Sequence, residues 1–168
     1  NQDPRLCFPE ASFDVVVNVA SVEYLTQPFK LFREVGRVLK PGGLFAVIFS
    51  DRMFPEKAIA LWRESSEQER IMMVEDFFAD GRVFEAPRLW VSKGLPRPAD
   101  DRYAGLSEYS DPIYVVAAMR EGGPDRERPF PQPPVAELFT AEEVQARRER
   151  VGRTLRCPHC DAELARWE

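Results

Sequence analysis

The hydrophobic pattern changes period twice between Phe13 and Asp51. It opens with FDVVVNV, an apolar run interrupted by Asn18. Val15, Val16 and Val17 in succession suit a strand buried on both faces, as in a parallel sheet. From Thr26 the period becomes helical. Leu31, Val35, Val38 and Leu39 fall on one face. Thr26 is the candidate N-cap. Pro41 is the expected stop, with Gly42 and Gly43 allowing a sharp turn. Leu44 to Phe49 is again continuously apolar. The pattern predicts parallel strands at 13–18 and 44–50 around a helix at 27–39. That is a βαβ crossover, right-handed by strong precedent.

Further along, Pro55 is expected to open a helix at Glu56, with Ala58, Ile59, Leu61 and Trp62 on its apolar face. Ser66 and Glu69 have capping-box spacing for a second helix. Ile71, Met72, Val74, Phe77 and Phe78 would pack it, and Gly81 would close it. Val83–Ser92 and Ile113–Met119 read as two more strands. Pro87 suits an edge or a bent start in the first of them. The polar stretch 93–111 predicts a long, irregular connection. Five prolines between 124 and 134 mark 121–135 as a linker. Thr140 and Glu143 would cap a charged helix to about Val151, thin in apolar residues. The division is therefore 1–120 as part of one domain, 121–135 as linker and 136–168 as a peripheral tail.

At 168 residues, 44% of them hydrophobic, the chain has the size and core material of one domain. A net charge of −5 argues against binding a nucleic-acid backbone. No apolar run approaches a membrane span, so no membrane partner is expected. Three cysteines do not make a secreted disulfide framework, which favours a reducing, cytoplasmic compartment. Cys7 reads as a small buried apolar residue, with no base or cation nearby to activate it. Cys157 and Cys160, in C-P-H-C, are half of a zinc ribbon. Cys7 and His159 are the only other residues of that ligand type, and His159 sits inside the pair. Two free surface thiols are the preferred reading, and no metal is expected.

In an open α/β sheet, ligands lie beyond the carboxyl ends of the strands. Here those ends are Asn18–Ser21 and Ser50–Arg52. The residues there narrow the choice. FDVVVNVASVEYL followed by FREVGRVLKPGGLFAVIF resembles the second half of a class I S-adenosylmethionine-dependent methyltransferase of the type-11 group. The likeness is close over Phe13–Ser50 and looser to about Arg120. It implies an α/β, partial Rossmann-like fold. The two last strands would be antiparallel, one of them inserted beside Leu44–Phe49. It implies S-adenosylmethionine as cofactor. Asn18, Val19, Ala20 and Ser21 would touch its methionine part, and Tyr24 would attract the sulfonium by cation–π contact. Arg52 and Phe54 would line the pocket of a small-molecule acceptor. Arg52 is equally readable as a solvated charge, and Tyr103 and Tyr109 as pocket or surface tyrosines.

The resemblance also implies an earlier half, with a Gly-rich turn and an acidic strand end. A βαβ unit takes about 30 residues, whereas only twelve precede Phe13. The first glycine is Gly36, and no G-x-G occurs. The expectation is a partial chain that lacks the N-terminal strands, is inactive alone and tends to self-associate through the edge at Phe13–Asn18. Chemistry in the parent would be in-line methyl displacement, driven by positioning and water exclusion. Glu23 and Asp51, the nearest carboxylates, read as structural, so no base is assigned. The alternative is a non-catalytic or degenerate methyltransferase-like interaction module docking through its C-P-H-C tail. Another nucleotide-binding α/β protein would share the βαβ unit but not RVLKPGG.

Overall fold

The structure, a computed structural model, describes residues 3–123, 154–156 and 163–166. Strand β1 (Phe13–Val19) leads through a 3-10 turn (Val22–Tyr24) to helix α1 (Pro28–Val38). Strand β2 (Leu39–Ser50), a short helix α2 (Ala60–Glu64) and a longer helix α3 (Glu67–Gly81) follow. Strands β3 (Arg88–Ser92) and β4 (Ile113–Met119) complete a four-stranded sheet of order β1-β2-β4-β3. β1 and β2 run parallel, with Val15 opposite Leu44 and Val19 opposite Ile48. β4 is antiparallel to both β2 and β3. The partial Rossmann-like arrangement expected from the sequence is the one observed. β5 (Thr154–Arg156) and β6 (Glu163–Arg166) pair separately as an antiparallel ribbon.

The core lies on one face of the sheet. Phe32 is fully buried among Phe45, Phe77 and Phe78, with ring centroids 4.9, 5.4 and 5.0 Å away. These edge-on contacts join α1 and α3 to β2 and add to the burial of large apolar area. Gly36 lets the Val83–Phe84 turn come close, since a Cβ there would run into Val83.

The other face carries Val15, Val17 and Val19 of β1, which are 52%, 50% and 58% exposed. Continuous with them are Leu44, Ala46 and Ile48 of β2, then Met119, Ala117 and Val115 of β4. Trp90 and Ile113, 45% and 44% exposed, end these cross-strand rows. The expectation that β1 is buried on both faces is thus corrected. β1 is an edge strand, and α1 and α3 both pack against the opposite face.

Other local expectations also shift. The N-cap of α1 is Gln27, not Thr26, because Pro28 pre-sets the first helical φ. α1 ends at Val38 before Pro41 can act, and Leu39 already pairs with Phe13. Residues 40–43 form a bulge within β2, with Gly42 at φ 74°. A Cβ at Gly43 would lie 2.9 Å from the Lys40 carbonyl and 3.0 Å from that of Asp14. Pro55 starts a turn rather than a helix, and α2 begins only at Ala60. The Ile59 N–H is engaged instead by the Glu23 carbonyl, at 3.1 Å. The Ser66–Glu69 capping box is present as read. The left-handed residue ending α3 is Arg82, at φ 54°, not Gly81. A Cβ on Gly81 would meet the Phe84 ring at 2.9 Å, so glycine there serves packing. β3 starts at Arg88, just after Pro87.

Cys7 is exposed rather than buried. Its neighbours are held by polar groups of α1: Leu6 N–H donates to Glu34, and Arg37 donates to the Leu6 and Phe8 carbonyls. That anchoring fixes the backbone and leaves the thiol outside. The linker read at 121–135 is described only at residues 121–123, which are bends without regular structure; its remainder, the helix at 140–151 and the free thiols at Cys157 and Cys160 fall outside the described residues. Among the described residues, no helix is long and apolar enough to cross a membrane. No group of three or more His, Cys, Asp or Glu residues among them is placed to hold a metal ion.

Candidate functional site

Two loops meet at the carboxyl ends of β1 and β2. The first is Ala20–Leu25. Ala20 N–H donates to the Ile48 carbonyl at 2.9 Å, extending the ladder one residue past β1. Ala20 itself is left-handed, at φ 46°, a costly conformation for a residue with a Cβ. The turn points Val22 and Glu23 inward, at 1% and 3% exposure. Ser21 Oγ donates to Asn18 Oδ1 at 2.9 Å, so these two sequence-chosen residues are brought together. Asn18, Ser21 and Tyr24 are partly buried, whereas Val19 and Ala20 are exposed.

The second loop is Asp51–Ile59, which lies across the first as a strap. Phe54 N–H donates to the Tyr24 hydroxyl at 2.9 Å, and the two rings sit 6.5 Å apart. Ile59 N–H donates to the Glu23 carbonyl. Tyr24 and Phe54, chosen from the sequence for different roles, are therefore direct neighbours. Phe54 is 61% exposed.

Arg52 turns toward the 93–111 connection. Its Nε pairs with Asp111 Oδ2 at 2.7 Å, and its guanidinium lies 4.2 Å over the Tyr103 ring. Asp111 and Tyr103 raise the Arg52 pKa further above its ordinary value. Arg52 is thus both half-exposed and structurally engaged. The residue that organises this connection is Arg97, which the sequence reading did not single out. Its side chain is only 4% exposed and pairs with Asp101 at 3.2 Å and Asp111 at 3.0 Å. Tyr109, the other pocket candidate, is half-exposed and sends its carbonyl to Arg97.

The first loop also carries a buried polar group. Glu23 Oε2 has no hydrogen-bond partner among the described residues, and neither does the Tyr114 hydroxyl. Burial pushes the Glu23 pKa up; its own backbone N–H, Tyr24 and the Arg70 charge oppose that only in part. Arg70 is lowered by its own burial and is held up by Asp51, Tyr114, Glu23 and Glu67. It donates to the Trp62 carbonyl at 2.9 Å and lies over the Trp62 ring. Tyr114 is pushed well above its ordinary value, first by burial and then by Glu67. The sequence placed Glu23 among the structural carboxylates. An inward-facing carboxylate without a full set of partners is visible only in the folded chain.

Residues 2–47 match the family model described as a methyltransferase domain. The likeness read from FDVVVNVASVEYL and RVLKPGG to class I methyltransferases is borne out over that stretch. No curated protein sequence matches the chain. Among solved structures, it is similar to an S-adenosylmethionine-dependent methyltransferase of Thermotoga maritima, described as a possible histamine N-methyltransferase. That likeness has 18% identity over 70% of this chain and 61% of the other, with a TM-score of 0.47. A methyltransferase of Aquifex aeolicus is similar at 18% identity, 71% and 52% coverage and a TM-score of 0.42. A phosphoethanolamine N-methyltransferase of Haemonchus contortus, in complex with S-adenosyl-L-methionine, gives 15% identity, 68% and 34% coverage and 0.40. The chain thus spans 61% or less of the length of these three.

Proposed function

We propose, on the premise that residues 2–47 are methyltransferase-domain sequence, that the chain forms the acceptor-side part of an S-adenosylmethionine-dependent methyltransferase acting on a small molecule. One observation carries this reading beyond the family match. The loops that follow two parallel strands are tied to each other by Phe54 N–H and Tyr24 Oη, at the place where open α/β sheets bind ligands. When bound, the donor supplies a methyl group on a sulfonium centre. Asn18, Val19, Ala20, Ser21 and Tyr24 would hold its methionine end, with Tyr24 offering its ring to the positive sulfur. Phe54 and Arg52 would face the acceptor.

The residues present fit one side of such a donor. Recognition of a ribose needs an acceptor group at the end of a further strand, and β1 is the sheet edge. The bare row Val15–Val17–Val19 and the free edge of β1 are where another strand and covering helices would complete the pocket. Parallel sheets are almost always covered on both faces. We infer that this complement comes from a longer protein or another chain, and that the 168-residue chain alone binds donor poorly. Strand edges of this kind also favour self-association.

The test is methyl transfer from labelled donor by the longest polypeptide that the reading frame around these residues encodes. Transfer to a small-molecule fraction that falls sharply in Asn18→Leu supports the reading. A longer polypeptide that neither binds donor nor transfers methyl supports the non-catalytic module instead.

A further inference from the structure

In its ionised form a carboxylate oxygen only accepts hydrogen bonds, so the partner that ionised Glu23 Oε2 lacks is a donor. Glu23 is 3% exposed, and burying a charged carboxylate without its full partners costs free energy. The cost is reduced by a raised pKa, which burial produces here. The charged or titratable groups acting on Glu23 are Tyr24 from its own loop and Arg70 from α3. Asp51, Glu67 and Tyr114 act on Arg70 in turn. Arg70 is already engaged with the Trp62 carbonyl and ring.

The strap is tied to the loop that carries Glu23. The strap runs from Asp51 to Ile59 without regular structure, and Asp51, Arg52 and residues 54–57 are exposed. Two hydrogen bonds fasten it to the first loop, Phe54 N–H to Tyr24 Oη and Ile59 N–H to Glu23 O. Glu23 is followed by Tyr24, whose ring and hydroxyl meet Phe54, so the three lie together at the carboxyl ends of β1 and β2. Aromatic rings around a carboxylate suit a cation.

We propose that Glu23 binds the methyl acceptor, that this acceptor is an amine, and that its N–H supplies the donor Glu23 Oε2 lacks. The proposal rests on the methyltransferase reading and deepens it. An ammonium acceptor first passes one proton to the Glu23 carboxylate, freeing the nitrogen lone pair. That pair forms the N–C bond to the methyl carbon while the C–S bond breaks and its electrons return to sulfur. A carboxyl with a raised pKa suits the first step, since a base works best when its pKa lies near the working pH. An anionic acceptor would meet the same carboxylate with repulsion.

Carbon-13 NMR of the Glu23 carboxyl in the whole chain tests this without any donor. Added n-butylammonium should shift the Glu23 signal saturably and move its titration to lower pH, while butyrate should do neither. Calorimetric titration with n-butylammonium gives a response that both proteins share, and Glu23→Gln should bind about tenfold or more weakly than wild type, as for loss of a charged hydrogen-bond partner. No Glu23 shift up to the solubility limit overturns the proposal, as does an undiminished response in Glu23→Gln. If that variant fails to fold, the wild-type signal decides alone. Donor binding by the longer protein without an ammonium response overturns this inference only. An ammonium response without donor binding overturns the methyltransferase reading only.

Discussion

The Phe54 amide donates to the Tyr24 hydroxyl at 2.9 Å, and this contact fastens the loop after β2 to the loop after β1. Removing the hydroxyl leaves the amide without its protein partner while keeping the ring. Tyr24→Phe should cost about 0.5–1.5 kcal/mol in global stability, the net worth of one such bond. The sharper readout is local. Hydrogen exchange at Phe54 should accelerate well beyond that at the β2 amides, because the strap opens without global unfolding. Equal acceleration throughout would mean that the strap is not a separate unit.

Glu23 gives a pH signature of definite sign. Its folded pKa is raised, so folding favours its neutral form. That contribution is present below the unfolded carboxyl pKa and is lost as pH rises through the folded value. Glu23→Gln keeps the neutral shape at every pH. Relative to wild type, its Tm should therefore increase from acid to neutral pH. Glu34 acts in the opposite sense: Arg37 holds its pKa below the ordinary range, so its contribution is lost on acidification. Glu34→Gln should cost stability at pH 7 and little at pH 3, as read by thermal denaturation at both.

Gly36 sits in mid-helix, where alanine ordinarily stabilises. Here a Cβ would run into Val83, so Gly36→Ala should destabilise by about 1–3 kcal/mol, as overpacking does. Val83→Ala in the same chain should recover a good part of that loss. A double mutant showing simple additivity in denaturant unfolding would contradict the packing account.

The βαβ unit and the antiparallel end pair were legible because long apolar runs and a clear helical period set them. Boundaries failed where tertiary contacts outweighed local preference. Ile59 N–H bonds Glu23 instead of beginning a helix near Pro55, and Gly81 yields the left-handed position to Arg82 to make room for Phe84. Within the site, Asn18 with Ser21 and Tyr24 with Phe54 came from family-like sequence. Arg97 and Arg70 did not, since an arginine reads as surface charge until its burial is seen. The exposure of Val15 and Val17 was hidden for a similar reason. A run of valines reports a buried strand, not which layers lie against it.

The bare face makes its own prediction. Val17 is half-exposed and opposite Ala46, so Val17→Lys should change the Tm little. It should nevertheless reduce self-association, because a charge on an edge strand opposes pairing. Sedimentation velocity over a concentration series reads this. Unchanged association in Val17→Lys would place the sticky surface elsewhere.

The central claim is that these residues form one wall of a donor site whose other wall lies beyond β1. Calorimetric titration with S-adenosylmethionine tests it most directly, on the 168-residue chain and on the longest encoded polypeptide containing it. Removing half of a pocket should cost several kcal/mol, on the order of a thousandfold or more in Kd. The account predicts no measurable heat at micromolar donor for the chain alone, and one site per molecule in the longer protein, weakened by Asn18→Leu. Micromolar binding at one site per chain by the 168 residues alone would contradict it.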